Sequence, residues 1–375
     1  LFHMSAARKI YALHQWLGLV AGMFILVFFL TGSIIVFRDE LNKWENPHLF
    51  SVKVKGEWLP YDELYRKVQA QVPEVYLYSF RYLPASPEET IEMRVYSQDT
   101  YPLLYVNPYT ADVLGIENNS WYDFFITLHY TFYLKTTGEL LAALFAMALL
   151  GSVITGIYVY RKSVVKVVLF RVGIHWKNWR TVSSGLHRIV GVWALLFNLV
   201  LATSGFYMMW YALDPGYHTQ TAKTTQIQPP PAIHANIDSL MKQTQQLIPG
   251  VQLTYVDFPR NSGDSITIHG HLPGGWLLGK MTSYAKFDPH TGQVGSVFKE
   301  TELSIGEKIE YALYTLHYGQ YGGKAIKVVY AFFGLAGALL TITGFLLWWR
   351  RKAFVNKKKK GTSLPMPRYT PKAQY

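Results

Sequence analysis

Residues 12–37 read ALHQWLGLVAGMFILVFFLTGSIIVF, and no charged residue stands between Lys9 and Arg38. At a rise of about 1.5 Å per residue, a helix of that length crosses a bilayer core of about 30 Å. His14 is therefore expected inside or at the edge of a membrane. The same pattern is written again at residues 185–210, GLHRIVGVWALLFNLVLATSGFYMMW. His187, Gly191 and Ser204-Gly205 stand there where His14, Gly18 and Thr31-Gly32 stand, each at an offset of 173 (187 − 14). An ionisable residue in a membrane is costly and marks a functional position. Here it occurs twice in register.

Further uncharged runs at 140–160, 189–213 and 328–349 complete four expected spans, placed in residues 1–37, 138–161, 186–213 and 326–350. The formal charge of +12 could point to nucleic acid, but its distribution argues otherwise. Arg161, Lys162, Lys166, Arg171, Lys177 and Arg180 crowd around one short loop (162–185), and Arg350, Arg351, Lys352 and Lys357 to Lys360 load the tail (351–375). Basic short loops mark the cytoplasmic side. The expectation is a multi-pass protein of a bacterial inner membrane with both termini in the cytoplasm, lipid around it and no nucleic-acid partner.

Two large segments, 38–137 and 214–325, then fall on the periplasmic side. Each reads as a small α+β module. In the first, Asp62 is an expected N-cap, Leu64, Val68 and Val72 fall at helical spacing, and Pro73 ends the run. Strands are expected at 76–80, 91–96 and 103–106, followed by an Asn107-Pro108 turn. The second segment repeats this order, with Asp238 and Pro249 in the places of Asp62 and Pro73, and FDPHTGQVGS matching VNPYTADVLG. The chain is a tandem duplication. The expected fold is an α-helical integral membrane protein: a four-helix transmembrane bundle from a tandem duplication, with two periplasmic α+β domains.

The ends of the two modules are duplicated too, TLHYTFYLKTTGELL at 127–141 against TLHYGQYGGKAIKVV at 315–329. His129 and His317 each stand 27 residues (156 − 129) before the glycine of a Thr-Gly pair. That is about 40 Å of helix, longer than the bilayer core, so both are expected at the periplasmic surface. Lys135 and Gly138, and Gly322-Gly323 in the second copy, allow a break before the span. Two histidine pairs at two depths result, His14 with His187 and His129 with His317. Pseudo-two-fold symmetry would bring the members of each pair face to face, as in bundle cores that bind cofactors.

Two imidazoles from opposing helices can hold one haem iron from both sides. Ligation of that kind leaves no open position, so such a haem carries electrons. With no cysteine in the chain there is no Cys-x-x-Cys-His attachment and no thiolate set for an iron–sulfur cluster, so the expected cofactors are two haem b. No Gly-x-Gly-x-x-Gly or Walker A sequence supplies a nicotinamide or ATP site, and a quinol or a cytoplasmic reductase is the expected electron donor.

The LH…LG…TG head of a span, the NPxTG-like turns and the closing LHYG…TGFLLWWRRK resemble the PepSY-associated transmembrane-helix proteins. Within them the chain is similar to the iron-regulated siderophore-reductase branch, the FoxB type. DPHTGQVGS fits the family's turn closely, whereas NPYTADVLG has Ala111 where glycine is usual. The resemblance implies two periplasmic PepSY-like domains and an oxidoreductase that reduces ferric siderophore in the periplasm during iron uptake. Two other readings stay open: a cofactor-free, membrane-anchored regulator that binds peptides or proteins, and a haem-dependent reductase of another metal such as copper.

Around the histidines, Arg180 and Arg188 are candidates for haem propionates, and Tyr130 and Tyr318 for a haem edge. His175, in the basic loop, is an alternative ligand. The Thr-Gly and Ser-Gly pairs read as close helix packing, each hydroxyl bonding back to its own helix. His269 and His271 read as a solvated strand end and stay outside the ligand set.

Overall fold

The computed structural model describes residues 5–84, 86–96, 101–117, 121–214 and 231–359. Part of the basic tail, from Lys360 on, lies outside them, as do residues 215–230 of the second large segment. In chain order the first copy of the repeat forms α1 (Ala6–Val20), α2 (Gly22–Ile35), α3 (Arg38–Glu45), α4 (Pro47–Phe50), α5 (Tyr61–Gln71), β1 (Tyr76–Tyr82), β2 (Ile91–Tyr96), β3 (Leu103–Val106), β4 (Val113–Glu117), α6 (Trp121–Thr131) and α7 (Lys135–Tyr160). A short α8 (Val164–Val168) leads to the second copy: α9 (Trp179–Trp193), α10 (Leu195–Met209), α11 (Ile237–Leu247), β5 (Gln252–Asp257), β6 (Ile266–His271), β7 (Ser283–Phe287), β8 (Val294–Phe298), α12 (Ile305–Tyr318) and α13 (Gly323–Lys359).

The expected fold class needs correction. The chain is a mixed α/β protein, and its two water-exposed halves are not separate domains. They build one eight-stranded antiparallel sheet in the order β4-β3-β2-β1-β5-β6-β7-β8. The join is β1 against β5, with Ser79 opposite Asp257 and Phe80 opposite Val256. A lone four-stranded half would leave β1 as an exposed edge with unpaired backbone groups. Pairing the two copies removes that edge. One core follows, in which Phe80, Met93, Val256, Ile268 and Phe287 from the sheet meet Leu64 and Val68 of α5 and Ile237 and Leu240 of α11. Each such side chain contributes about 1.5–3 kcal/mol by leaving water.

Asp62 does not cap its own helix. It accepts from Ile237 N–H at the start of α11 (3.2 Å), while Asp238 accepts from Tyr61 and Asp62 N–H at the start of α5 (2.9 and 3.0 Å). The two copies cap each other's helices, which locks the halves together at the sheet's pseudo-two-fold axis. The two duplicated turns match despite the Ala111 departure. Ala111 N–H bonds to the Asn107 carbonyl as Gly292 N–H bonds to that of Asp288, and both residues have positive φ (63° and 71°).

The membrane part differs from a plain four-helix bundle as well. Among the described residues three helices are long and apolar enough to cross a bilayer, within Lys135–Tyr160, Leu195–Leu213 and Gly323–Arg351, or up to four if the bent pair α1 and α2 counts as one span. That pair turns by 61° at the break between them. Buried Ala21 stands at this break, and buried Ala194, 173 positions on, separates α9 from α10. α2 packs on α13 so closely that a Cβ on Gly334 or Gly337 would come within 2.2 or 2.5 Å of Ser33 or Phe29 side-chain atoms.

The connections before α7 and α13 carry the expected breaks. Between α6 and α7, Phe132, Tyr133 and Lys135 all take positive φ, and a Cβ on Gly138 would run into the Thr131 carbonyl. The second copy makes its turn with Gly319, Gly322 and Gly323. These turns fold α6 back beside α2 and α7, and α12 back beside α10. Lys327 on α13 ties down the same junction through Asp39 (3.4 Å) and Glu40 (2.8 Å) on α3.

Candidate functional site: two histidine pairs

Each histidine ring is held from behind by the hydroxyl residue of a Thr-Gly or Ser-Gly pair. His14 on α1 donates from Nδ1 to the Ser152 carbonyl (3.0 Å) and Thr155 Oγ1 (3.1 Å) on α7. His187 on α9 does the same with the Leu340 carbonyl (3.1 Å) and Thr343 Oγ1 (3.0 Å) on α13. His129 on α6 meets Thr31 Oγ1 of α2 at 2.8 Å, and His317 on α12 meets Ser204 Oγ of α10 at 3.0 Å.

These contacts fix the tautomer. A carbonyl only accepts, so Nδ1 of His14 and of His187 carries the hydrogen. Thr31 and Ser204 spend their single hydroxyl hydrogen on the Val27 and Val200 carbonyls, both at 2.6 Å, so they too accept from Nδ1. In its neutral form each of the four imidazoles therefore has the Nε2 lone pair free to bind a metal.

The glycine of each pair lets the ring come close. Cβ atoms placed on Gly156, Gly344, Gly32 and Gly205 would lie 3.3, 3.4, 3.3 and 3.1 Å from Cε1 of His14, His187, His129 and His317. A larger residue at any of the four would push the ring away.

The rings pair as the sequence offset requires. The His14 and His187 centroids are 6.3 Å apart, and so are those of His129 and His317. A metal bound to both rings through bonds of about 2 Å, with each ring centre about 1 Å behind its nitrogen, needs a separation of about 6 Å. Among the described residues no group of three or more His, Cys, Asp or Glu could hold a metal ion. Each pair thus offers two facing imidazole nitrogens and no further protein ligand of those types among the described residues. That donor set suits a metal arriving with its own equatorial ligands, as in a haem, and it is too small for a closed structural zinc site.

A cavity of about 350 Å³ opens around the sheet-distal pair His14 and His187. Its wall includes Gly18, Gly22, Gly156, Gly191, Gly337 and Gly344, which leave flat space along the helices. Arg188 and Asn198 also line it, and Arg188 Nε and Asn198 Oδ1 are buried without a hydrogen-bond partner. A flat group with an anionic edge fits such a wall, and its carboxylates could use the free Arg188 N–H.

The other expected residues lie elsewhere. Arg180 is exposed in the first turn of α9, where its backbone N–H bonds to Asn178 Oδ1. His175 is exposed in the preceding loop, its carbonyl accepting from Thr181 Oγ1 at 2.6 Å. Tyr130 and Tyr318 are partly exposed beside the sheet-proximal pair, the Tyr318 ring centroid 6.2 Å from that of His317. His269 bonds to Asp257 (3.2 Å) on the sheet, away from both pairs. Sequence reasoning missed Asn198, whose partner in the other copy is Ile25. It also missed the hydroxyl grip on the histidines, although four such pairs for four histidines was a readable signal.

The family model described as the PepSY-associated TM region matches residues 11–351 of the chain. No curated protein matches it.

Proposed function

The chain belongs to the PepSY-associated transmembrane family, and from that premise we propose that it is a di-haem b electron-transfer protein of the bacterial inner membrane. In this reading it reduces ferric siderophore on the periplasmic side, where the sheet stands, during iron uptake. The observation that carries the reading is the repeated histidine geometry: two facing pairs, 6.3 Å between rings in each, with every Nδ1 anchored.

His14 and His187 would hold one haem iron and His129 and His317 the other. When bound, the two haems supply one-electron transfer at two depths. The protein's part is to hold the four nitrogens in the neutral tautomer and to fix the rings against glycine. The depths are set by the helices: His187 and Ser204, which grips His317, are 17 residues apart (204 − 187), at most about 26 Å of helix. That is close to the thickness of the bilayer core. Siderophore reduction has a chemical logic, since oxygen chelators hold the hard ferric ion far better than ferrous. One electron loosens the grip, and the donor on the cytoplasmic side is a quinol or a reductase.

The test is to mix dithionite-free reduced protein anaerobically with a ferric hydroxamate in the presence of a ferrous trap. Loss of the reduced α-band together with trapped ferrous iron is expected. A reduced band that persists, with no ferrous iron formed, overturns the substrate assignment.

A further inference from the structure

The sheet-distal cavity has an arginine for an anionic edge, Arg188, whereas the sequence reading supplied none for the sheet-proximal pair. We propose that Arg38, stacked on Tyr122, is the anion-binding residue of the sheet-proximal site and takes a carboxylate of the group that His129 and His317 hold. This rests on the haem reading above.

Position is the first argument. The Arg38 guanidinium lies 4.6 Å from the centre of the Tyr122 ring. Tyr122 precedes His129 by seven residues on α6, so the two share a face two turns apart, about 10 Å along the axis. Arg38 itself follows by seven residues Thr31, which grips His129. Both connections put Arg38 and Tyr122 about two helical turns along the chain from the residues of the sheet-proximal pair, toward the sheet.

The second argument is an unmet need. Arg38 Nε is buried without an acceptor, as Arg188 Nε is at the other pair. A buried N–H left unpaired is expensive. Carboxylates stand nearby, and the Arg38 charge acts on Glu92, but the hydrogen bonds of four of them go elsewhere: Asp39 and Glu40 to Lys327, Glu92 to Arg81 (3.2 Å) and Glu117 to the Tyr105 hydroxyl (2.8 Å). Burial also pushes Glu92 up to about 7, so near neutrality this carboxyl is a weak counter-ion for Arg38. The guanidinium keeps a charge and a donor to give to a ligand.

The test uses the full-length chain in detergent with His14→Ala and His187→Ala, which leaves only the sheet-proximal site. Haemin and haemin dimethyl ester, whose carboxylates are blocked, are titrated separately and followed by absorbance. Binding of haemin about ten- to a hundred-fold tighter than the ester is expected, with the preference abolished in R38L and partly kept in R38K. Equal binding of the two compounds while Arg38 is in place overturns the proposal without any change at that residue, and so does a preference that survives R38L in folded protein. In both cases the haem reading stands. A wild-type chain that takes up neither compound overturns the reading and the proposal together.

Discussion

The four hydroxyl grips are not equivalent, and Ser204→Ala exposes the difference. His14 and His187 each donate to a hydroxyl and to a carbonyl, whereas Ser204 Oγ, at 3.0 Å, is the one hydrogen-bond partner identified for His317 Nδ1. Ser204 is fully buried. Removing its oxygen leaves an N–H without an acceptor, at a cost of about 1–3 kcal/mol. It also frees the ring to turn or to place its hydrogen on Nε2, where it blocks metal binding. Loss of such a supporting contact lowers metal affinity by about 10–100-fold. Thr343→Val at His187 keeps the Leu340 carbonyl at 3.1 Å, so its cost is about 1 kcal/mol, less than tenfold. The assay is haem titration of each variant, with the two sites separated by the complementary histidine-to-alanine background. The account requires the serine variant to lose more affinity than the threonine variant. Equal losses, or an unaffected Ser204→Ala protein, would refute the idea that these hydroxyls fix the tautomer.

Three further outcomes follow from the sheet. Ala111→Gly relieves a non-glycine residue at φ 63° and should raise stability by about 1 kcal/mol, read as a higher melting temperature; no gain would mean that the turn carries no strain. Asp238→Ala removes the acceptor for two N–H groups of α5 and should cost about 1–2 kcal/mol, whereas unchanged melting would deny the cross-capping a structural role. Glu92 is pushed up to about 7 from its ordinary 4.5, chiefly by burial. Between these values the folded chain holds a proton that the unfolded chain releases. Its contribution is therefore fully present below about pH 4.5 and is lost as the pH rises through 7, up to about 3 kcal/mol in all. Melting at pH 5 and pH 8 should show that loss in wild type and a smaller one in Glu92→Gln; parallel losses would contradict it.

Periodicity and spacing revealed what is local or repeated. Charge-free runs gave the three long apolar helices but not the bend between α1 and α2, the 173-residue offset gave the His14–His187 pairing, and alternating residues gave β1 to β3. Long-range pairing was hidden. Nothing in either copy says that β1 will find β5, because an edge strand and a central strand with one polar face read alike. Asp62 reads as a local cap for the same reason: Ile237, its partner, lies 175 residues away. The Thr-Gly pairs were legible as close packing, and the structure has that packing together with the back-bond to the helix. Their second role depends on which ring arrives from another helix, information that is not contained in the pair itself. Arg38 reads in the sequence as the end of a span, because its stacking on Tyr122 is a contact between residues 84 positions apart.

The most direct test of the central claim is haem stoichiometry with a visible spectrum of the detergent-purified full-length chain, oxidised and then dithionite-reduced. About two b-type haems per chain and a sharp reduced α-band are predicted, with His129→Ala or His187→Ala each removing one spectral species. A colourless protein that stays colourless after expression with haem precursor would contradict the account, and so would a single haem unaffected by either substitution.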